Sequence, residues 1–420
     1  MSGSEIRSFE IKQLPARLSA VVRNRRVFFC CMAILSIVKL ALSAIAPASY
    51  DLRDIVTLVA SNRLIGPWIV LYPLLYSPLN ATLNQLESWY ATTPPAMGLN
   101  MQLISLLFRI PIFVFDLAIA GVLYYTVRRM GSPSQGRLAS LIWFANPYSF
   151  LSTELLGVPD VLATFFVVVA ISLLISRRPI WSGIFLALGI CTKFYPILLI
   201  PPLLIYACSA GVSRRNRLTI VGSSLVGLFC YLSWVLPFGT EYLTQYSPVT
   251  QPIPMFLGSY VTNSYGFVFV LILFYGLLGL FARKIYDPFG TLLSTFLVFY
   301  VVSSPYPQYL VWAMPLMAID VGLHRQRGAL FIAFCSLAFI QWFLVSPALI
   351  TPSGYSLLMI PFTGDNLPWY SVAIGHLLDT PVVGNLLLPI VSSSLVGIIV
   401  FYAVDLSRNW FRISSRDAMK

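Results

Sequence analysis

The sequence predicts an all-α, polytopic membrane protein of about twelve helices with both ends in the cytoplasm. Three observations carry that prediction. The 420 residues are 58% hydrophobic and only 10% charged, with a mean hydropathy of +0.82, which leaves too few polar side chains to cover a soluble globule of this size. Apolar runs long enough to cross a bilayer recur from Val27 to Leu406, with no gap large enough for a soluble domain. Basic residues fall in clusters, and between each pair of clusters lies enough apolar chain to go out and return.

The clusters are Arg23, Arg25 and Arg26; Arg128, Arg129 and Arg137; Arg177 and Arg178; Arg214, Arg215 and Arg217; Arg283 and Lys284; Arg325 and Arg327; and Arg408, Arg412, Arg416 and Lys420. Lysine and arginine mark cytoplasmic loops, so the net charge of +12 reports topology and implies no nucleic-acid partner. The outer turns then centre near residues 47–100, 153–159, 191–196, 238–260, 303–308 and 346–382, where Arg53 and Arg63 are the clear basic residues.

The expected spans are 27–46, 101–127, 138–152, 160–176, 180–191, 195–210, 218–237, 261–282, 289–303, 309–322, 328–345 and 383–406. They divide the chain into a cytoplasmic tail (1–26), a first membrane half (27–260) that includes the long outer loop 47–100, a second helical half (261–406) and a second tail (407–420). Val27 to Ala46 has a signal-peptide-like Ala44-Ile45-Ala46 end, but its apolar stretch is longer than a usual signal core and reads as a retained helix. The spans 138–152 and 180–191 are too short to cross upright and end beside Pro147 and Pro196, which predicts broken helices bordering a cavity. Six cysteines without a CxxC pair, all in or beside apolar segments, read as helix-packing residues.

Eight of the fifteen acidic residues, Asp51, Asp54, Glu87, Glu154, Asp160, Glu241, Asp365 and Asp379, fall on the outer side of this map. Topology signals place no demand on acids there. Solvation of loops suffices for Glu87 and Glu241. Asp51 and Asp54 sit one turn apart on the polar edge of an amphipathic segment whose Leu52, Ile55, Val56 and Val59 share the other face. At the lipid boundary such a carboxylate is a candidate general base; first-turn capping is the competing role. Glu154 and Asp160 flank Gly157-Val158-Pro159, and Asp160 is equally an N-cap candidate.

Lys193 stands against the positive-inside trend, so an anion is its natural partner: a lipid phosphate is the functional candidate, and snorkelling to the interface or pairing with Asp160 is the alternative. Arg109 and Asp116 are seven apart on the second helix and read as an interior polar network. Lys39, well inside the first helix, has no evident partner in the sequence. His376 lies in the last outer loop, where a lone histidine is ordinarily solvated.

Four passages resemble the GT-C superfamily of membrane glycosyltransferases, in particular its mannosyltransferase-like branch, which includes the catalytic subunit of the first GPI mannosyltransferase. They are Tyr50-Asp51-Leu52-Arg53-Asp54; Asn146-Pro147 with Gly157 to Ala163; Gly183 to Pro202; and Ser304 to Trp312. The resemblance implies a sugar, expected to be mannose, transferred from a polyprenyl phosphate to a lipid, glycan or protein acceptor on the extracytosolic face of a plasma or endoplasmic reticulum membrane. It also implies a first-loop aspartate, Asp51 or Asp54, as base. Because this chain carries Asp-x-x-Asp where several relatives carry Asp-x-Asp, both the choice of aspartate and any divalent cation stay open. Lys193 matches the lysine of the family's Lys-x-x-Pro-like turn. Lys193, Arg63 and His376 are candidates for the charge that meets the departing phosphate, and Glu154, Asp160, Tyr306, Gln308 and Tyr309 are candidate substrate contacts.

Two other readings compete: a transporter or lipid-linked sugar flippase, disfavoured because the acids sit in surface loops and not at the bilayer midplane, and a catalytically silent membrane subunit. No P-loop or dinucleotide motif is present to suggest a nucleotide-sugar enzyme. The topology is open to direct test in a cysteine-free background. Glu87→Cys, Glu241→Cys and Asp365→Cys should react with an impermeant thiol reagent from outside, and Ser132→Cys, Asn216→Cys and Gln326→Cys should not. Reversal at two sites would overturn the map.

Overall fold

A computed structural model describes residues 21–45, 97–155, 157, 160–176, 178–193, 195–208, 212–235, 272–279, 288–302, 307–324 and 327–345, with isolated positions at 390, 394 and 397–398. Among these residues every regular element is helical. In chain order they are α1 (Arg25–Ile45), α2 (Met97–Met130), α3 (Pro133–Phe144), a single turn (Pro147–Ser149) running into a π-helical segment (Phe150–Leu155), and α4 (Asp160–Ile175). There follow α5 (Pro179–Thr192), a 3₁₀ turn (Tyr195–Leu199), α6 (Ile200–Ala207), α7 (Arg214–Val235), α8 (Pro288–Val302), α9 (Pro307–Leu323) and α10 (Gly328–Val345). The described residues are thus all-α, as expected. Two stretches, Arg25–Ala44 and Arg109–Met130, are by length and composition able to cross a membrane, and shorter apolar stretches of 10–17 residues, such as Asp160–Ile175 and Gly328–Ala338, accompany them, so the expected count of about twelve spans is not reached among the described residues. The expected spans 261–282 and 383–406 lie largely outside them.

Both expected breaks occur, for the reason the prolines imply. Asn146 caps the turn after α3, its side chain accepting from the Tyr148 N–H at 2.8 Å, with Pro147 in the first helical position, where its missing N–H costs nothing. At the second break Pro196 cannot donate to the Thr192 carbonyl, so α5 ends and Lys193 turns extended (φ −152°, ψ 143°) before the chain resumes as 3₁₀. An apolar groove of about 560 Å³ runs beside the first break, lined by Leu138, Asn146, Pro147, Phe331 and Cys335 among others.

The basic ends of several helices meet at one end of the bundle. Arg137, on the first turns of α3, donates to the Val22 and Arg23 carbonyls at 2.5 and 3.1 Å, Arg129 donates to Ser176 Oγ at 2.9 Å, and Gln135 reaches the Leu323 carbonyl at 3.3 Å. These bonds gather the ends of α1, α2, α4 and α9, which the charge alternation predicts for one membrane side.

Inside the bundle α4 is buried nearly all round, as a helix apolar on every face must be. Where lipid is the solvent, apolar burial alone does not draw helices together, and close backbone approach matters more. The α5–α7 contact uses it: a Cβ on Gly183 would lie 2.6 Å from the Ser223 Cα, and one turn along each helix Ala187 faces Gly227. Two small-xxx-small stripes therefore interlock. Gly183→Ala should force the helices apart and lower stability by about 1–3 kcal/mol, the usual scale of overpacking. Gly222→Ala, on the same α7 but with nothing within 4 Å of the added methyl, should leave the detergent melting temperature close to wild type. Equal melting temperatures for the two variants would refute the close packing.

Candidate active site

At the end of the bundle away from the basic clusters, a buried lysine holds two carboxylates and a half-buried one holds a third. The first centre is built on Lys39, fifteen residues into α1. Its ammonium donates to Asp116 Oδ2 at 2.7 Å, Glu154 Oε2 at 2.9 Å and Ser149 Oγ at 3.1 Å. It also lies over the rings of Phe144 and Phe150, 4.8 and 4.4 Å from their centroids. Lys39, Asp116 and Glu154 are all at most 1% exposed. The partners of Lys39, which were not evident in the sequence, are carboxylates 77 and 115 residues away, beyond the range of any local pattern.

Arg109 and Asp116 do share a helix face and both are buried, as their spacing predicts. Within that network Asp116 pairs with Lys39, while Arg109 Nη1 donates to the Ser43 carbonyl at 3.2 Å and lies within electrostatic reach of Glu154. Two cations and two carboxylates thus balance in one buried cluster, the arrangement that lets ions persist at low dielectric. The π-helical segment delivers Glu154. Its wider turn places Thr153 within hydrogen-bonding reach of both the Ser149 carbonyl and Glu154 Oε2.

The second centre is built on Asp160, the first residue of α4. Lys193 Nζ approaches Asp160 Oδ2 at 2.5 Å, and Trp312 Nε1 donates to Oδ1 at 2.7 Å. Trp312 stacks on Tyr195 with centroids 3.9 Å apart and planes 6° from parallel, and the Tyr195 hydroxyl lies 2.8 Å from Thr164 Oγ1, which itself donates to the Asp160 carbonyl. Side chains, not the helix's own N–H groups, hold the Asp160 carboxylate, so capping is not its main role here. Of the two partners foreseen for Lys193, this structure supplies Asp160. The lysine side chain nevertheless keeps 14% exposure against 1% for the aspartate, so it is the more exposed member of the pair.

Gly157 joins the two centres. It adopts φ 63°, a left-handed conformation that a side chain would disfavour. Neither centre suits a divalent cation as it stands, because Lys39 already occupies the space between Asp116 and Glu154 and Lys193 neutralises Asp160. Among the described residues no three His, Cys, Asp or Glu side chains cluster to hold a metal. Asp51, Asp54, Arg63, Tyr306 and His376 lie outside the described residues, and Gln308 and Tyr309 fall in the first turn of α9. The sequence reading missed Trp312 as a ligand of Asp160, although it sits within the Ser304 to Trp312 passage; it placed Asp116 in an interior polar network, without identifying Lys39 as its partner.

Comparison with known proteins bears on this region directly. No curated protein and no solved structure matches the chain. The model of one family, described as dolichyl-phosphate-mannose-protein mannosyltransferase, matches residues 94–239, about a third of the length. That stretch runs from the start of α2 past the end of α7 and contains Asp116, Glu154, Asp160 and Lys193, so the part of the chain that builds most of both lysine centres is similar to a GT-C family of membrane mannosyltransferases.

Proposed function

We propose that the protein is a GT-C-type glycosyltransferase that moves mannose from a polyprenyl-phosphate donor to an acceptor hydroxyl on the extracytosolic side of its membrane. One observation carries the reading: within the segment similar to mannosyltransferases, Glu154, Asp160 and Lys193 are fixed at the bundle end opposite the basic clusters, the end from which the first loop departs after Ile45. Asp51 is six residues beyond that point, a stretch that spans at most about 20 Å even when fully extended.

In the proposed reaction the acceptor oxygen attacks the anomeric carbon as the bond from that carbon to the lipid phosphate oxygen breaks. The acceptor proton passes to the first-loop aspartate, and the leaving electron pair stays on the polyprenyl phosphate. Attack opposite the leaving group inverts the anomeric centre. The departing phosphate requires fixed positive charge, and the partly exposed Lys193 is the first candidate, followed by Arg63 and His376. Asp160 and Trp312 hold Lys193 in place until an anion shares it, while Glu154, Tyr306, Gln308 and Tyr309 are proposed to contact the sugar or acceptor.

Two experiments test these roles with radiolabelled polyprenyl-phosphate mannose. Asp51→Asn and Asp54→Asn keep shape but lose basicity. Loss of the base should cost about 10²- to 10⁴-fold in turnover, whereas loss of a helix cap costs only ~1 kcal/mol of stability. Near-normal turnover in both variants would refute the mechanism, and activity that falls only in step with detergent melting temperature would assign capping instead. Lys193→Met keeps the apolar stem without the charge and should lower kcat/KM for the donor by about 10- to 100-fold, the scale of a charged hydrogen bond. Unchanged kinetics in a well-folded variant would leave Lys193 as a partner of Asp160 alone.

A further inference from the structure

We infer that the groove between α2 and α4 binds an anionic phospholipid from the leaflet at the basic end of the bundle, with one acyl chain in the groove and the headgroup phosphate on Arg129. The site is independent of the reaction proposed above. The groove encloses about 300 Å³. On α2 it is lined by Ala118, Gly121 and Tyr125, whose spacing of three and four residues puts them on one face, and the next residue on that face is Arg129 in the last turn. On α4 it is lined by Val169, Ser172 and Leu173, and the next position on that face is Ser176. Arg129 Nη1 donates to Ser176 Oγ at 2.9 Å, so the guanidinium sits at the mouth, where the two faces end together. Deeper in, the hydroxyl of Ser172 is taken up by Thr126 Oγ1 at 2.9 Å, which leaves an apolar floor. No atom lies within 4 Å of a methyl added at Gly121, and Val114, Leu117 and Tyr125 on the same side of α2 are exposed, so the groove opens where lipid is the solvent.

Length and charge identify the occupant. Ala118 and Arg129 are eleven residues apart on α2, about 16 Å at 1.5 Å per residue. One leaflet of hydrocarbon is about 15 Å deep. A lipid whose headgroup lies at Arg129 therefore runs its chain to Ala118 near the bilayer midplane. The two contacts of Arg129, Ser176 and the Tyr125 hydroxyl at 3.5 Å, are both neutral and both use Nη1. A guanidinium carries five N–H donors in a fork that fits phosphate. Arg128 is exposed in the same turn, and Arg178, whose N–H donates to the Leu173 carbonyl at 2.8 Å, is exposed beside the mouth. Neither α2 nor α4 carries an acid between the deep end of the groove and its mouth, so the local field favours an anionic headgroup. A helix from a second copy fits poorly: it is about 10 Å across, and its own basic end would meet Arg129.

The test uses the full-length protein in nanodiscs that contain a trace of phosphatidylglycerol with a diazirine in one acyl chain, or phosphatidylcholine with the same chain. Photolysis followed by peptide mapping should place adducts within 118–125 and 169–173, with phosphatidylglycerol exceeding phosphatidylcholine there by about fivefold, the scale of one cation at a membrane surface. Arg129→Gln should abolish that preference. Gly121→Leu fills the groove and should remove its adducts for both lipids, while adducts on the exposed Ile34 and Ile37 of α1 persist. Absence of groove adducts in the wild type would show that protein covers it and would overturn the site. Equal labelling by the two lipids would reduce it to ordinary lipid contact, and a preference kept in Arg129→Gln would reject the phosphate assignment. The wild-type map and the headgroup comparison need no variant, so the proposal can fail even if a substitution disturbs folding.

Discussion

The ammonium of Lys39 is the contact on which the described architecture turns. It is fully buried, in a chain whose solvent is lipid, and it joins α1, α2 and the π-helical segment through two carboxylates and a hydroxyl. Burying an ion is costly, and breaking a buried pair by removing one partner typically costs about 3–5 kcal/mol because a charge is left stranded. The arrangement therefore admits few alternatives. Moving α1 along its axis by one turn would separate the charges without removing any of them. Arg109 balances the second carboxylate electrostatically, so the cluster is neutral as a whole although no single pair within it is isolated.

From that contact the rest of the site follows along a short path. Glu154 is fixed by Lys39, Gly157 follows with a positive φ, and Asp160 opens α4 against Lys193 and Trp312. Each step needs a broken helix. An unbroken α3 would carry no π-helical turn to aim Glu154, and an unbroken α5 would keep Lys193 on a helical face instead of in the extended link that meets Asp160. Irregular backbone is tolerated at this depth because polar side chains and caps satisfy it, as Asn146 does for the Tyr148 N–H. Proline breaks, buried ions and departures from α-helical geometry thus occur together at one end of the bundle. That is the usual distribution when a membrane domain performs chemistry and does more than pack.

Much of this was legible before any coordinates. The helical class and the broken spans at Pro147 and Pro196 follow from composition and local covalent constraints, and the described boundaries of α4 and α5 fall within a residue of the expected spans. Lys193 and Asp160 were already candidates for each other because a lysine on the outer side needs an anion and Asp160 is the acid next to the neighbouring turn. Lys39 was not legible in the same way. Nothing within two turns of it on α1 is acidic, and its partners come from elements that only the packed bundle brings alongside.

The sequence by itself determined the properties that depend on near neighbours and on solvent: lipid as the environment, helix as the backbone form that satisfies its own hydrogen bonds there, proline positions as breaks, and basic clusters as one set of helix ends. Tertiary structure decided which charges pair. Asp116 goes to Lys39 and not to Arg109 on its own helix, and Trp312 rather than a backbone N–H completes Asp160. The physical reason is range. A hydrogen bond or close ion pair acts over about 3 Å, so its partner is set by which helix faces meet, and that depends on the interlocking of small residues such as Gly183 against Ser223, which the one-dimensional spacing of charges does not encode.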